Sequence, residues 1–311
     1  MLSMLLVIAG IVLLYFGAEG LVRGSSNLAI RAGIPPLVVG LTVVAFGTSA
    51  PELTVSISAS LQGKGVVALG NVVGSNIFNI AVILGISALI RPLTIHINLL
   101  RRDIPIMIGA AVVGFGLILY GDIGRIAGIA LLLMLTAYLV FTIHAAKRET
   151  AQGLDSMDAP EPPKNAWWLD VIFLVVGLGL LVWGANLFVE GAIVIARKLG
   201  VSEAVIGLTI VAAGTSLPEL ATSIVAAIKK QTDIAVGNVV GSNIFNILCI
   251  LGTTAVVKPI SADGISWIDG AVMLLVSVIL LPLAFTQRTI SRGEGGFLMV
   301  IYGGFLIWLW P

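Results

Sequence analysis

The sequence predicts an all-α integral membrane protein with ten transmembrane helices in two inverted five-helix repeats. Three observations predict this fold class: an excess of apolar residues, a series of apolar runs of membrane-spanning length, and a segment that recurs in the second half of the chain. Of 311 residues, 58% are apolar and 11% are charged, and the mean hydropathy is +1.11. Soluble domains carry roughly 25% charged residues, so this composition excludes a soluble globular protein.

Ten apolar runs are long enough to cross a hydrocarbon core of about 30 Å, which takes roughly 20 helical residues. The predicted spans are 2–22, 36–61, 66–90, 103–120, 125–145, 168–188, 203–228, 233–257, 267–286 and 295–310. The first run has no basic stretch before it and no cleavage motif after it, so we interpret it as a retained transmembrane helix.

A polar, proline-containing segment at 147–165 separates the fifth run from the sixth. Such a segment is typical of a linker. We therefore predict a first repeat over residues 1–146, a cytoplasmic linker over 147–167 and a second repeat over 168–311.

The distribution of Lys and Arg predicts the orientation in a cell membrane. If the N-terminus is outside, twelve of the seventeen Lys and Arg residues fall in inner loops. Cytoplasmic loops of membrane proteins carry such an excess of positive charge. We predict that both termini are outside and that the protein is a multi-pass protein of the inner or plasma membrane.

An internal repeat relates the two halves. Residues 33–93 align without a gap with residues 200–260, at a constant offset of 167, and about half of the positions are identical. The polar residues match best, which a chance similarity of two apolar segments does not explain. Because five spans is an odd number, the second copy must enter the membrane upside down. Secondary transporters with inverted repeats bind their substrates near the midplane, at the repeat interface.

The first motif places an acid inside a span in each half. The sequence GTSAPE at 47–52 recurs as GTSLPE at 214–219. A carboxylate in an apolar helix is costly, so it needs a partner or an aqueous cavity, and by default it marks a functional site. The proline removes a backbone donor and the glycine loosens the helix, which predicts free carbonyl groups around Ala45 and Ala212.

The second motif draws a stripe of neutral oxygens. GNVVGSNIFN at 70–79 recurs at 237–246, with Asn, Ser and Asn at i, i+4 and i+8 on one helix face. Asn71, Asn76 and their counterparts in the second half are open to two interpretations, as cation ligands or as hydrogen-bonding groups between helices.

Together the motifs offer two carboxylates, hydroxyls and amide oxygens, with no thiolate or imidazole. This set suits hard cations such as Ca²⁺ and Na⁺ and argues against zinc or copper. The only cysteine, Cys249, lies in an apolar run, which excludes an intramolecular disulfide and a cysteine metal site. The net charge of +1, with scattered Lys and Arg, gives no sign of a nucleic-acid partner. We expect the partners to be membrane lipid and small metal cations. We expect neither a cofactor nor an obligatory protein partner.

The paired GTSxPE and GNVVGSNIFN motifs resemble those of the sodium/calcium exchanger family within the Ca²⁺:cation antiporter superfamily, and the chain is most similar to its compact prokaryotic members. The resemblance implies that the protein is a transporter and not an enzyme. This transporter would exchange Ca²⁺ for Na⁺ by alternating access, with helices 2, 3, 7 and 8 around the ion sites. The metal ligands that it implies are Glu52, Glu219, Thr48, Thr215, Ser49, Ser216, Ser75, Ser242, Asn79, Asn246, Ala45 and Ala212.

One position departs from the archaeal-type relatives, which carry an acid where this chain has Asn246. The resemblance therefore leaves the ion preference and the stoichiometry open. Exchange of Ca²⁺ or another cation for H⁺ is the main alternative. A cation channel and an intramembrane enzyme that uses Glu52 and Glu219 as an acid pair are further alternatives, although no nucleophile and base set accompanies the two acids.

Overall fold

The computed structural model describes residues 2–151, 166–200, 210 and 212–309, and in these ranges the chain is almost entirely helical. The helices are α1 (Leu2–Ala32), α2 (Pro36–Thr48), α3 (Ala50–Leu61), α4 (Gly65–Ile90), α5 (Leu99–Tyr120), α6 (Arg125–Ala151), α7 (Trp167–Lys198), α8 (Ala212–Thr215), α9 (Leu217–Ile228), α10 (Thr232–Val257), α11 (Trp267–Phe285) and α12 (Arg292–Leu309). The predicted all-α class is confirmed.

Seven of these helices, α1, α4, α5, α6, α7, α10 and α11, are long and apolar enough to cross a membrane. Helices α2 and α3 meet at an angle of 43° and together make an eighth candidate. Helix α9 lies within the predicted span 203–228, of which residues 203–209 and 211 fall outside the described residues. Helix α12 covers residues 295–309 of the last predicted span. The count of ten spans and the side of the termini stay predictions.

The predicted linker begins inside a helix, because α6 continues to Ala151. Residues 152–165 lie outside the described residues. The boundaries of the two repeats and of the linker therefore stay predictions.

Helices α1 and α7 each run about ten residues beyond the predicted ends of their spans. Hydropathy reports only the apolar part of a helix, and both extensions contain charged residues. At one end of the pair, the buried carboxylate of Asp170 accepts hydrogen bonds from the Arg31 side chain at 2.8 Å and from the Asn27 amide at 2.7 Å. These contacts provide partners for polar groups of the α1 extension, which therefore continues along the start of α7.

The α1 and α7 helices pack in antiparallel contact along a seam of glycines. Gly10, Gly17 and Gly24 recur every seven residues in α1, as Gly177, Gly184 and Gly191 do in α7. A Cβ atom on Gly177 would lie 2.5 Å from the Leu21 nitrogen and 2.7 Å from the Gly17 carbonyl oxygen. Glycine is therefore required for the two backbones to approach this closely.

The two helices that carry the polar stripe occupy the centre of the protein. Ninety-four per cent of the apolar segment of α10 and 72% of that of α4 are buried, against 22–39% in the other five single spans. Both central helices contain a π-helical turn directly after the stripe, at Asn79–Leu84 and Asn246–Leu251. Both turns follow the same motif at the offset of 167.

Four two-residue strands, β1 (Leu93–Thr94), β2 (Asp122–Ile123), β3 (Ile260–Ser261) and β4 (Thr289–Ile290), join loops of the two halves. Strand β1 pairs with β4 and β2 with β3, both antiparallel. Pairs this short leave no alternating pattern in the sequence, so they were not predicted.

We expect Gly177→Ala to destabilise the protein, because the new methyl group meets backbone atoms of α1 that cannot move aside. Overpacking of this kind costs about 1–3 kcal/mol. Gly179→Ala is the matched control, since a Cβ atom at this position on the same helix meets no atom of the described residues within 4 Å. The measurement is the midpoint of thermal unfolding in detergent. Equal midpoints for the two variants would contradict the packing of the seam.

Candidate ion-binding site

Two helix breaks at matching positions of the halves organise the site. Ser49 lies between α2 and α3 with φ −82° and ψ 4°, and Ser216 lies between α8 and α9 with φ −91° and ψ 8°. A proline follows each break in the first turn of the next helix, where its missing N–H costs no hydrogen bond. Each break turns the chain and presents a serine hydroxyl at the start of a new helix.

The two acids lie in the first turns of these new helices. Glu52 is in α3 and Glu219 is in α9, and each is 1% exposed. The N-terminus of a helix favours negative charge, because its backbone N–H groups and its dipole point toward the anion. Both carboxylates are therefore placed where the backbone itself offsets part of the cost of burial.

Each carboxylate is bonded by the serine of the other half. The Ser49 hydroxyl donates to Glu219 Oε1 at 3.0 Å, and the Ser216 hydroxyl donates to Glu52 Oε1 at 3.0 Å. The second oxygen of each carboxylate, Oε2, is buried and has no hydrogen-bond partner within the described part of the chain. Two acceptor oxygens thus stay available beside a matched pair of hydrogen bonds.

Two asparagines join the motif helices within each half. Asn71 donates to the Glu52 carbonyl oxygen at 3.2 Å and to the Ser56 hydroxyl at 3.0 Å. Asn238 donates in the same way to the Glu219 carbonyl at 3.3 Å and to the Ser223 hydroxyl at 3.0 Å. Both asparagines therefore have the helix-bonding role that the sequence left open for them.

The threonines of the first motif contact these asparagines across the halves. The Thr48 hydroxyl lies 3.1 Å from Asn238 Oδ1, and the Thr215 hydroxyl lies 3.5 Å from Asn71 Oδ1. Thr48 is fully buried. The threonines thus tie α2 and α8 to the central helices.

The carbonyl group of Ala45 is hydrogen-bonded, whereas the sequence predicted that it would be free. The Ala45 carbonyl oxygen accepts from the Ser49 N–H at 3.0 Å and lies 3.3 Å from the Thr48 hydroxyl. The missing N–H of Pro51 affects the carbonyl four residues earlier, at Gly47, and leaves the turn at Ala45 intact. Ala212 is the first residue of α8, and its side chain lies outside the described residues.

The polar stripe of the central helices completes the cluster. The Ser75 hydroxyl lies 3.3 Å from that of Ser216. Asn79 and Asn246 are each 1% exposed, and Ser242 is fully buried. In the described part of the chain, the buried site atoms without a hydrogen-bond partner are Glu52 Oε2, Glu219 Oε2, Asn79 Oδ1, Asn246 Oδ1 and Ser242 Oγ. Apart from the hydroxyl proton of Ser242, this set contains only acceptors.

The chemistry of the cluster is that of oxygen ligands. No three His, Cys, Asp or Glu side chains come together in the residues that the structure describes. The cluster therefore has two carboxylates and otherwise neutral oxygens, which are ligands that Ca²⁺ and Na⁺ prefer and zinc and copper do not. The burial of these acceptors without donors is a cost that a bound cation would remove.

One polar group with defined contacts, Asp170, was not identified from the sequence, and for another, Asn243, the structure shows the bond between helices. Asn243, in the second motif, bonds to Asn79 and was open to two interpretations. Asp170 has no acidic counterpart at the offset of 167, so the repeat did not mark it. An acid near the start of an apolar helix was the available signal, and the structure gives Asp170 a role in pairing α7 with α1.

Known proteins match the chain over nearly its whole length. The family described as sodium/calcium exchanger protein matches residues 2–144 and 169–310. The Inner membrane protein YrbG of Escherichia coli is 42% identical, with 99% of this chain and 96% of that protein covered. The Sodium/calcium exchanger MaX1 of Methanosarcina acetivorans is 34% identical, with 98% and 97% covered.

The fold also matches solved structures. A structure of the sodium-calcium exchanger NCX_Mj is similar to it with a TM-score of 0.84 and 32% sequence identity, over 99% of both chains. The chain therefore belongs to the sodium/calcium exchanger family, as a compact prokaryotic member and a multi-pass membrane protein.

Proposed function

We propose that this protein is a secondary antiporter that exchanges Ca²⁺ for Na⁺ across its membrane by alternating access. One observation carries the proposal. Two buried carboxylates, one from each half, each accept a hydrogen bond from the other half and keep a second oxygen without a partner. A divalent cation between Glu52 and Glu219 would balance both charges. The names of the relatives, sodium/calcium exchanger MaX1 and NCX_Mj, support the choice of ions.

The proposed ligands are the oxygens of the cluster and of the helix breaks. They are Glu52, Glu219, Thr48, Thr215, Ser49, Ser216, Ser75, Ser242, Asn79, Asn246, Ala45 and Ala212. Binding at the Ala45 carbonyl requires the Thr48 hydroxyl to turn toward Asn238, with which it is already in contact at 3.1 Å. No resident cofactor or protein partner is part of the proposal, and the ions are the transported substrates.

We further propose ten transmembrane helices in two inverted repeats, with both termini outside. Three observations support the inversion. Helices α1 and α7, which open the two halves, pack in antiparallel contact. The helix breaks at Ser49 and Ser216 and the π-helical turns recur at the offset of 167. The bias of Lys and Arg toward the predicted inner loops supports the orientation.

Competition for one cluster couples the two ion fluxes. Without a cation, two carboxylates would face each other in an apolar interior, which is unfavourable for a protein that must change conformation. Ca²⁺ neutralises the pair, whereas three Na⁺ would leave one positive charge in excess. A cycle in which three Na⁺ replace one Ca²⁺ moves one net charge across the membrane and is therefore electrogenic, and Asn246 adds no third acid that would balance the excess charge in the cluster. The empty protein then crosses between its two states rarely, and exchange is obligatory.

The first test is ⁴⁵Ca²⁺ uptake into proteoliposomes loaded with Na⁺. We expect uptake by the wild type only when Na⁺ is inside, and uptake at the level of protein-free liposomes for Glu52→Gln and for Glu219→Gln. The amide removes the charge that the cation balances while it keeps the size of the side chain. Glu19→Gln is the matched control, since Glu19 is partly exposed and pairs with Lys229 at 2.7 Å, outside the cluster.

The same assay separates the alternatives. Uptake that requires a pH gradient and ignores Na⁺ would replace the proposal with cation/H⁺ exchange. Uptake without any counter-ion would indicate a channel. Normal uptake by both glutamine variants would remove the carboxylate pair from the mechanism.

A second test measures binding without transport. Ligand at about 100 times its Kd stabilises the folded state by roughly 2.7 kcal/mol. We expect Ca²⁺ to raise the midpoint of thermal unfolding of the wild type and to leave that of the double variant Glu52→Gln, Glu219→Gln unchanged. In Ca²⁺-free buffer the double variant should unfold no earlier than the wild type, because it buries no charge. An equal Ca²⁺ shift in both proteins would place the binding site elsewhere.

A further inference from the structure

Asn243 lies outside the proposed ligand set but contacts one of its members. It is 1% exposed and belongs to α10, directly after Ser242 of the polar stripe. Its side-chain oxygen Oδ1 accepts a hydrogen bond from the Asn79 amide nitrogen Nδ2 at 3.0 Å. The bond joins α10 to α4 at the point where the π-helical turn of α4 begins.

The orientation of the Asn243 amide is determined by two groups that can only accept. Its nitrogen Nδ2 lies 3.4 Å from the Asn76 carbonyl oxygen and 3.7 Å from the thioether sulfur of Met107. A flipped amide would place its oxygen against both acceptors, which is unfavourable. The nitrogen therefore stays on this side, and the oxygen stays on the side of Asn79.

The orientation is passed on to Asn79. Because Asn243 presents an oxygen, Asn79 must present its nitrogen, and the Asn79 oxygen must point the other way. That oxygen is buried and has no hydrogen-bond partner among the described residues. Asn79 lies one turn from Ser75, whose hydroxyl is 3.3 Å from Ser216, so it is on the face of α4 that carries the cluster.

We propose that Asn243, held by Met107, is a positioning residue that keeps the amide oxygen of Asn79 directed to the transported cation. The inference rests on the proposed function of the cluster. An amide presents an oxygen in one orientation and an NH₂ group in the other, so a free Asn79 would repel a cation part of the time. Partners that orient a metal ligand typically change metal affinity by roughly 10–100-fold when they are removed.

The repeat supplies a matched control, because the counterpart of Asn243 makes a different contact. Asn76 donates to the Val72 carbonyl of its own helix at 2.7 Å. Its side chain thus bonds within α4, and its contribution to the amide of Asn243 comes from its backbone oxygen, which a substitution preserves. The two asparagines occupy the same place in the repeated motif and are both almost completely buried. They differ in the group to which the side chain bonds, which is Val72 of the same helix for Asn76 and Asn79 of the other central helix for Asn243.

The test is the Ca²⁺ concentration at half-maximal uptake in proteoliposomes loaded with Na⁺. For Asn243→Ala we expect this value to rise roughly tenfold with the maximal rate largely kept. Asn76→Ala should leave it near the wild-type value. In an Asn79→Asp background Asn243→Ala should not raise it further, because both oxygens of a carboxylate accept and the Asn243 oxygen would only face another acceptor.

A second pair of variants tests the same chain of contacts if Asn243→Ala does not fold. Met107→Leu conserves volume, which buried positions tolerate, and removes one of the two acceptors that hold Asn243. It should raise the half-saturating Ca²⁺ concentration in the same direction as Asn243→Ala but less. Met273→Leu, at an equally buried methionine of α11, is the control and should leave it unchanged.

The outcomes separate this inference from the proposed function. Equal half-saturation for Asn243→Ala and Asn76→Ala, in a wild-type protein that exchanges Ca²⁺ for Na⁺, would overturn the positioning role alone. If Asn243→Ala raised the half-saturating Ca²⁺ concentration by the same factor in the Asn79→Asp background, the positioning role would also be overturned, because the effect of Asn243 would not depend on the amide of Asn79. Absence of Ca²⁺ transport by the wild type would overturn the proposed function and this inference together.

Discussion

The burial of two carboxylates in an apolar interior is the constraint on which the arrangement of the core depends. Glu52 and Glu219 are almost completely inaccessible, and a buried charge is costly unless it is paired or hydrogen-bonded. The structure offsets part of this cost with one hydroxyl donor each and with the N-terminal turn of a new helix. The second oxygens keep their acceptor capacity, and a bound cation would remove the remaining cost.

The helix breaks follow from the same constraint. In a continuous helix the backbone N–H groups are hydrogen-bonded to carbonyl groups of the same helix. They would therefore not be available to stabilise a carboxylate. A break at Ser49 and another at Ser216 create two helix starts in the interior of the protein. Since each serine donates to the acid of the other half, neither half forms the cluster alone. The contact between the repeats is therefore part of the site itself.

Much of the site could be predicted from the sequence, because the signal lay in residue types that are costly in a membrane. An acid, a proline and a glycine at matching positions of two apolar segments marked the breaks and the carboxylates. The crossed bonding of Ser49 with Glu219 could not be predicted, because helical periodicity reports the face of a residue and not which helix it meets. The hydrogen bond to the Ala45 carbonyl was not predicted, although a proline removes only the bond to the carbonyl four residues before it, which for Pro51 is that of Gly47.

The limits of the helices were harder to predict than their existence. Hydropathy located the apolar centres of α1 and α7 but not their ends, and the end of α1 depends on Asp170, a partner of Arg31 that is distant in the sequence. The glycines at seven-residue spacing were visible, but their consequence, direct backbone contact between α1 and α7, depends on the partner helix. The short strands between loops had no pattern to detect.

The serine–glutamate hydrogen bonds of the two halves are more symmetric than the contacts around them. These two hydrogen bonds have the same length, so the carboxylates themselves do not distinguish one half from the other. The contacts behind them do, since Asn243 reaches across to Asn79 whereas Asn76 bonds within its own helix. In a protein with two access states, identical repeats in identical surroundings would give both states the same energy and the same ion affinity. If the cluster binds the ion as we propose, residues around the ligands that differ between the halves would give the two states different affinities, and Asn243 with Met107 is one such difference.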